Sequence, residues 1–209
     1  MTRTGTKALG LSGGVAAGKS MVARMFAELG ASVIDADRMG HDMLRRDDIK
    51  AALRERWGDG VFREDGEVDR QKVAEIVFGN GDARRFLNGL VHPPIRQRIR
   101  EVMDRMRAEG APLVVLDAAL LFEGGLEAWC DAVAFVNADE EARAARAKNE
   151  RGWSADELGR RESAQIDPSE KMRRSDFVID NSGERERTFE QVREIYNRLS
   201  QRVSDTEPE

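Results

Sequence analysis

Leu9-Gly10-Leu11-Ser12-Gly13-Gly14-Val15-Ala16-Ala17-Gly18-Lys19-Ser20 decides the reading of this chain. Residues 13–20 match G-x-x-x-x-G-K-[ST], a loop whose backbone N–H groups cradle phosphates. The small side chains let the backbone curl around an anion, and the helix that follows points its positive end at the same place. Lys19 suits the β- and γ-phosphates of a nucleotide, and the Ser20 hydroxyl suits Mg²⁺. The context agrees with the motif. An apolar strand pattern, Ala8–Leu11, precedes it. Met21, Val22, Met25, Phe26 and Leu29 follow at helical spacing, and Gly30 then offers a stop.

Outward from the loop, short apolar runs alternate with helical patterns, which predicts an α/β fold. The expected strands are Ala8–Leu11, Ser32–Ile34, Leu113–Leu116, Ala132–Val136 and Phe177–Ile179. Each reads as a strand of a parallel sheet covered on both faces. A βαβ crossover takes roughly 30 residues, whereas the second and third runs lie much farther apart, so a helical insertion is expected between them. The predicted architecture is a three-layer phosphate-loop core with a parallel five-stranded sheet. The core comprises residues 1–36, 111–137 and 175–209. A helical insert spans 37–110, and a helical lid spans 138–174. Within the inserts, His92-Pro93-Pro94 is expected to interrupt a helix. Ser154 with Glu157 reads as a capping box, and Asp167, Pro168 and Glu170 as N-cap, N1 and N3.

Composition narrows the function. The 209 residues carry 34 Lys+Arg and 39 Asp+Glu, a net charge of −5, with 6% aromatics. Such a chain is a poor nucleic-acid binder, by charge and by lack of stacking surface. One cysteine, Cys130, excludes an internal disulfide framework and a cysteine zinc site, which fits a reducing, cytoplasmic setting. No stretch approaches the ~20 apolar residues of a membrane helix. The basic Met1–Lys7 segment imitates a signal peptide, but four glycines break the run behind it. No membrane partner is expected, and a monomer is favoured with the oligomeric state left open.

Acids gather where ligands should bind. Asp35 and Asp37 follow the second strand, at the carboxyl end favoured by ligands in open α/β sheets. An aspartate there can orient an acceptor hydroxyl and take its proton, and either can equally cap the next helix. Asp117 ends the third strand, placed to hold Mg²⁺ or to cap a helix. Asn137-Ala138-Asp139-Glu140 does not fit a guanine-reading motif, which argues against a GTPase switch. Two segments are locally basic: residues 84–107 are net +5 and residues 143–174 net +3. Phosphoryl transfer needs cations over the phosphates and a lid that excludes water.

Taken together these segments resemble the dephospho-CoA kinase family. The resemblance spans nearly the whole chain. It runs through Gly10–Ser20, Asp35-Ala36-Asp37 with His41, Leu87-Asn88, His92-Pro93 and Ile95-Arg96. It continues through Leu120-Leu121-Phe122-Glu123 and Gly125-Leu126, then Arg161, Gln165 and Val178–Gly183. It implies ATP as co-substrate, Mg²⁺, and phosphorylation of the ribose 3′-hydroxyl of dephospho-CoA. It also implies Asp37 as base, Lys19 as phosphate ligand and Arg146 as lid arginine. ATP contacts are expected from Gly13, Gly14, Val15, Ala16, Ala17, Gly18, Lys19, Ser20, Met21 and Asn181. Acceptor contacts are expected from Asp35, His41, His92, Arg96, Leu121, Glu123 and Arg161, and metal contacts from Ser20 and Asp117. Four positions depart from the family pattern: Ala16 for Gly, Met21 for Thr, Ala119 for Pro, and Glu150 for a second lid Arg. Two other readings stay open: a kinase for another small molecule, and a nucleotide-binding regulator without turnover.

Overall fold

The hydrophobic runs at Lys7–Gly13 (β1), Ser32–Asp35 (β2), Leu113–Asp117 (β3), Ala132–Asn137 (β4) and Phe177–Asp180 (β5) form one parallel sheet in the computed structural model. The model describes residues 5–201. The strand order is β2-β3-β1-β4-β5. All five expected strands are present, and each extends by a residue or more toward the carboxyl edge.

β1 is central, and its side chains alternate between two covered faces. Leu9 and Leu11 pack with Val22, Met25 and Phe26 of α1 (Lys19–Glu28) and with Val192, Ile195 and Leu199 of α9 (Arg185–Ser200). Ala8 and Gly10 face the other side, where a Cβ added at Gly10 would stand 2.9 Å from Leu121 Cδ2. A side chain at position 10 would therefore force Leu121 and Cys130 to shift. Gly30, at φ +100°, ends α1 as expected and donates its N–H to Ala27 O at 2.9 Å.

The chain divides into two units, Met1–Asp35 with Met103–Glu209, and Ala36–Val102. Residues 138–174 fall within the first. They form α6 (Glu140–Arg151), α7 (Ala155–Ser163) and α8 (Pro168–Arg173). Their starts follow local chemistry. Asp139 accepts from Ala142 N–H, Ser154 from Glu157 N–H and Asp167 from Ser169 N–H. Each cap satisfies an orphan helix donor.

The second unit contains α2 (Ala36–Met43), α3 (Asp47–Trp57) and α4 (Arg70–Val77), and most of α5 (Gly81–Ala108). It has its own apolar centre of Ile49, Leu53, Val61, Phe62, Val68 and Val73. Trp57 meets Phe86 edge-on, with ring centroids 5.4 Å apart. Here one expectation is corrected: α5 runs unbroken through Pro93 and Pro94. Adjacent prolines remove only two N–H donors. A 28-residue helix retains enough neighbouring bonds and side-chain packing to carry that loss.

Candidate functional site

The carboxyl edge of the sheet gathers the chemistry, because every strand is parallel and ends on the same side. β1 delivers Gly13 to the start of the phosphate loop, and α1 begins at Lys19. The loop is pinned at both ends. Gly14 N–H donates to Val136 O at 3.3 Å, and Ala17 N–H donates to Gly14 O at 3.2 Å. Gly18 sits at φ +87°, and a Cβ there would collide with Asn181 Nδ2. Only glycine allows the asparagine to reach beneath the loop. Ala16 is left-handed at φ 58°, the one non-glycine in that region among the described residues. The expected departure at position 16 thus coincides with a backbone conformation that glycine would adopt more easily.

Asn181 is fully buried, and its Nδ2 donates to Ala17 O at 2.7 Å. The Thr188 hydroxyl donates to Asn181 Oδ1 at 3.1 Å, which fixes the amide's orientation. Asn181 therefore shapes the loop from below. Its side chain is buried beneath the loop. Arg146, on α6, reaches the same carbonyl: its NH1 donates to Ala17 O at 3.2 Å and its NH2 to Asn181 O at 2.7 Å. A cation of α6 is thus held against the loop.

The Lys19 ammonium bonds the Asp117 carboxylate, which is only 6% exposed at the end of β3. Asp35 ends β2 in register with Asp117, so two carboxylates stand side by side at the sheet edge. Ser20 is exposed in the first turn of α1, with Val15 and Met21 half-buried around the loop. The loop, a lysine and a pair of strand-end acids can hold a nucleoside polyphosphate. Arginine side chains stand on the α6 side of the loop and carboxylates on the β2–β3 side.

Three expected acceptor residues of the first unit have other partners. Leu121 is fully buried and packs against Gly10. Glu123 accepts from Ile166 N–H at 2.9 Å and pairs with the buried Lys171 at 2.8 Å. Arg161 pairs with Glu157 at 2.8 Å and lies over the Trp153 ring, 4.1 Å from its centroid.

In the second unit, Asp37 is exposed in the first turn of α2, and His41 lies one turn later on the same helix. His92 and Arg96 share one face of α5. Burial and the Arg96 charge hold the His92 imidazole below its ordinary range.

Two residues escaped the sequence reading. Arg143 lies across Gly14, with its Cδ 3.8 Å from where a Cβ would stand, and its guanidinium pairs with Glu162 of α7. The only signal was its spacing of three from Arg146, which puts both on one face of α6. Thr188 gave none, because its role exists only through Asn181.

The dephospho-CoA kinase family profile matches residues 7–187. A dephospho-CoA kinase of Geobacillus kaustophilus is 40% identical over 188 residues, 90% of this chain and 94% of that protein. One of Symbiobacterium thermophilum is 42% identical over 185 residues, 88% of this chain and 77% of that protein. A crystal structure from Thermus thermophilus superposes with a TM-score of 0.82 at 30% identity, covering 93% of this chain and 98% of that one. The phosphate loop alone is shared by many nucleotide-binding proteins. A match that runs through the sheet, both basic segments and β5 is not, and by it this chain belongs to the dephospho-CoA kinase family.

Proposed function

We propose that this chain transfers the γ-phosphoryl group of ATP to the ribose 3′-hydroxyl of dephospho-CoA, giving CoA. The observation that carries the reading is the Gly13–Ser20 loop, seated between β1 and α1, in a chain matched to the family over residues 7–187. The backbone amides of residues 13–20 and the Lys19 ammonium hold the ATP phosphates. Asp37 aligns the 3′-hydroxyl for in-line attack and accepts its proton. In a loose transition state that proton leaves late, so alignment counts for more than basicity. Arg146 adds positive charge beside the loop as charge develops on the transferring group. Residues 138–174 act as the lid that excludes water, and residues 37–110 hold the acceptor.

Mg²⁺ fits this donor set. Among the described residues no group of three His, Cys, Asp or Glu side chains gathers to cage a metal. Mg²⁺ is usually bound through one or two protein oxygens with substrate phosphates and waters completing the shell. Ser20 and Asp117 are the oxygens on offer. Held there, Mg²⁺ would supply positive charge against the phosphates during transfer. No described helix is long and apolar enough to cross a membrane.

The test is product detection with ATP, Mg²⁺ and dephospho-CoA. The wild-type chain should form CoA, and Lys19→Ala should lose nearly all turnover. Asp37→Asn should still bind ATP while kcat falls at least about 100-fold, the usual worth of a positioned proton acceptor. Near-normal turnover in Asp37→Asn would remove it from the mechanism. Binding of both ligands without any product would favour a regulator.

A further inference from the structure

The second unit encloses a cavity of about 330 Å³ between α2, the Phe62–Val68 turn and the start of α4. That volume lies within the range of small-molecule sites, about 300–1,000 Å³. Its lining is cationic. His41 comes from α2, Arg45 from just beyond it, Arg63 from the turn and Arg70 from α4. The two acids in the lining are already engaged. Glu67 pairs with Lys50 at 2.6 Å, and Asp69 accepts from Gln71 N–H and Lys72 N–H to cap α4. Arg45 and Arg63 make only loose pairs, at 3.6 Å to Asp42 and 3.3 Å to Asp65, on exposed side chains. Such surface pairs are weak and are readily exchanged for an anion.

Arg70 is the unusual member. Its NH2 lies 2.6 Å from His41 Nε2. A guanidinium has no acceptor atom, so a hydrogen bond here has the imidazole nitrogen as its acceptor. The guanidinium thus rests on an imidazole rather than on a carboxylate, and its charge is uncompensated by that contact. An anion entering the cavity would meet three guanidinium forks suited to phosphate oxygens.

We propose that this cavity receives the diphosphate bridge of the acceptor, and the proposal rests on the function given above. The register along α2 supports the choice. Asp37 and His41 share a face and stand about 6 Å apart along the helix axis. That is comparable to the reach of a ribose from its 3′-oxygen to its 5′-phosphate. With the 3′-hydroxyl at Asp37, the 5′-diphosphate falls beside His41 and Arg70. The cavity then selects a nucleoside carrying a 5′-diphosphate over a bare nucleoside.

The variants Arg70→Gln and Arg63→Gln test this. Each should raise KM for dephospho-CoA about 10-fold to 100-fold, the worth of one charge-assisted hydrogen bond. KM for ATP should move less than 2-fold. With adenosine as acceptor, which has nothing to place in the cavity, the loss should be at least about 10-fold smaller. An unchanged KM for dephospho-CoA, or equal losses with both acceptors, overturns the proposal. Arg63 is more than half exposed, so its variant keeps the test open if Arg70→Gln fails to fold. Should the wild-type chain form no CoA, the proposed function falls by itself. Calorimetric titration with inorganic pyrophosphate, under a saturating non-hydrolysable ATP analogue that fills the phosphate loop, then decides the cavity. Weaker binding by either variant supports the site, and equal binding overturns it.

Discussion

Ala16 shows how much a single methyl can matter at the phosphate loop. An L-residue in the left-handed region costs about 1–2 kcal/mol relative to the right-handed one, and Ala16 sits there at φ 58°. Replacing it by glycine removes that cost but adds unfolded-chain entropy of about 0.5–1 kcal/mol. Ala16→Gly should therefore be neutral to stabilising by up to about 1 kcal/mol in denaturant titration, against the usual destabilisation by glycine. A loss above 1 kcal/mol would mean that the loop does not hold this conformation in solution. The sequence made the loop legible because its function depends on spacing along the chain. It did not show that Asn181 and Arg146 converge on Ala17 O, 164 and 129 residues away in sequence. Those hydrogen bonds need β5 and α6 brought to the same edge. For the same reason the support that Asn181 gives the loop appears only in the structure.

Among the elements, the segment joining α7 to α8 is held by one buried charge. The Lys171 side chain is 1% exposed, pairs with Glu123 at 2.8 Å and donates to Gln165 Oε1 at 2.9 Å. Glu123 also takes the Ile166 N–H, so one carboxylate ties the loop after β3 to the α7–α8 connection. Glu123→Ala strands the ammonium and should cost about 3 kcal/mol, within the range for breaking a buried pair. Adding Lys171→Met should recover part of that, because removing both charges costs less than stranding one. Unfolding midpoints of the two variants check it; a double variant no more stable than the single would assign the loss to the Ile166 contact. In the sequence Glu123 belongs to a family segment, and nothing there names its partner 48 residues on. Two helix starts were legible, since Ser154 and Asp167 cap within three residues of themselves. The α5 prolines misled because a local steric rule was outweighed by the length and packing of the helix around them.

For the whole molecule, Cys130 gives a measurable link between packing and pH. Burial, reinforced by Asp131, pushes its thiol up to about 12. The unfolded thiol ionises near pH 8.5. Above that pH the unfolded state loses a proton that the folded state keeps, so the unfolded state binds fewer protons and stability falls with rising pH. The loss should approach about 1.4 kcal/mol per pH unit between roughly pH 9 and 12. Cys130→Ala should flatten that part of the profile in denaturant melts at pH 8, 9 and 10; an unchanged slope would show that the thiol is not buried in solution. The sequence by itself determined the five strands, the phosphate loop, the caps at Ser154 and Asp167, and the family. Each is written in contacts or periodicities that span a few residues, so neighbouring side chains suffice to specify it. Tertiary structure alone decided the pairing of Lys19 with Asp117, the seating of Arg143 across Gly14, the strap from Glu123 to Lys171, and the cationic cavity around Arg70. These join residues distant in the chain through strand order and helix packing, whose geometry follows from burying the whole core at once.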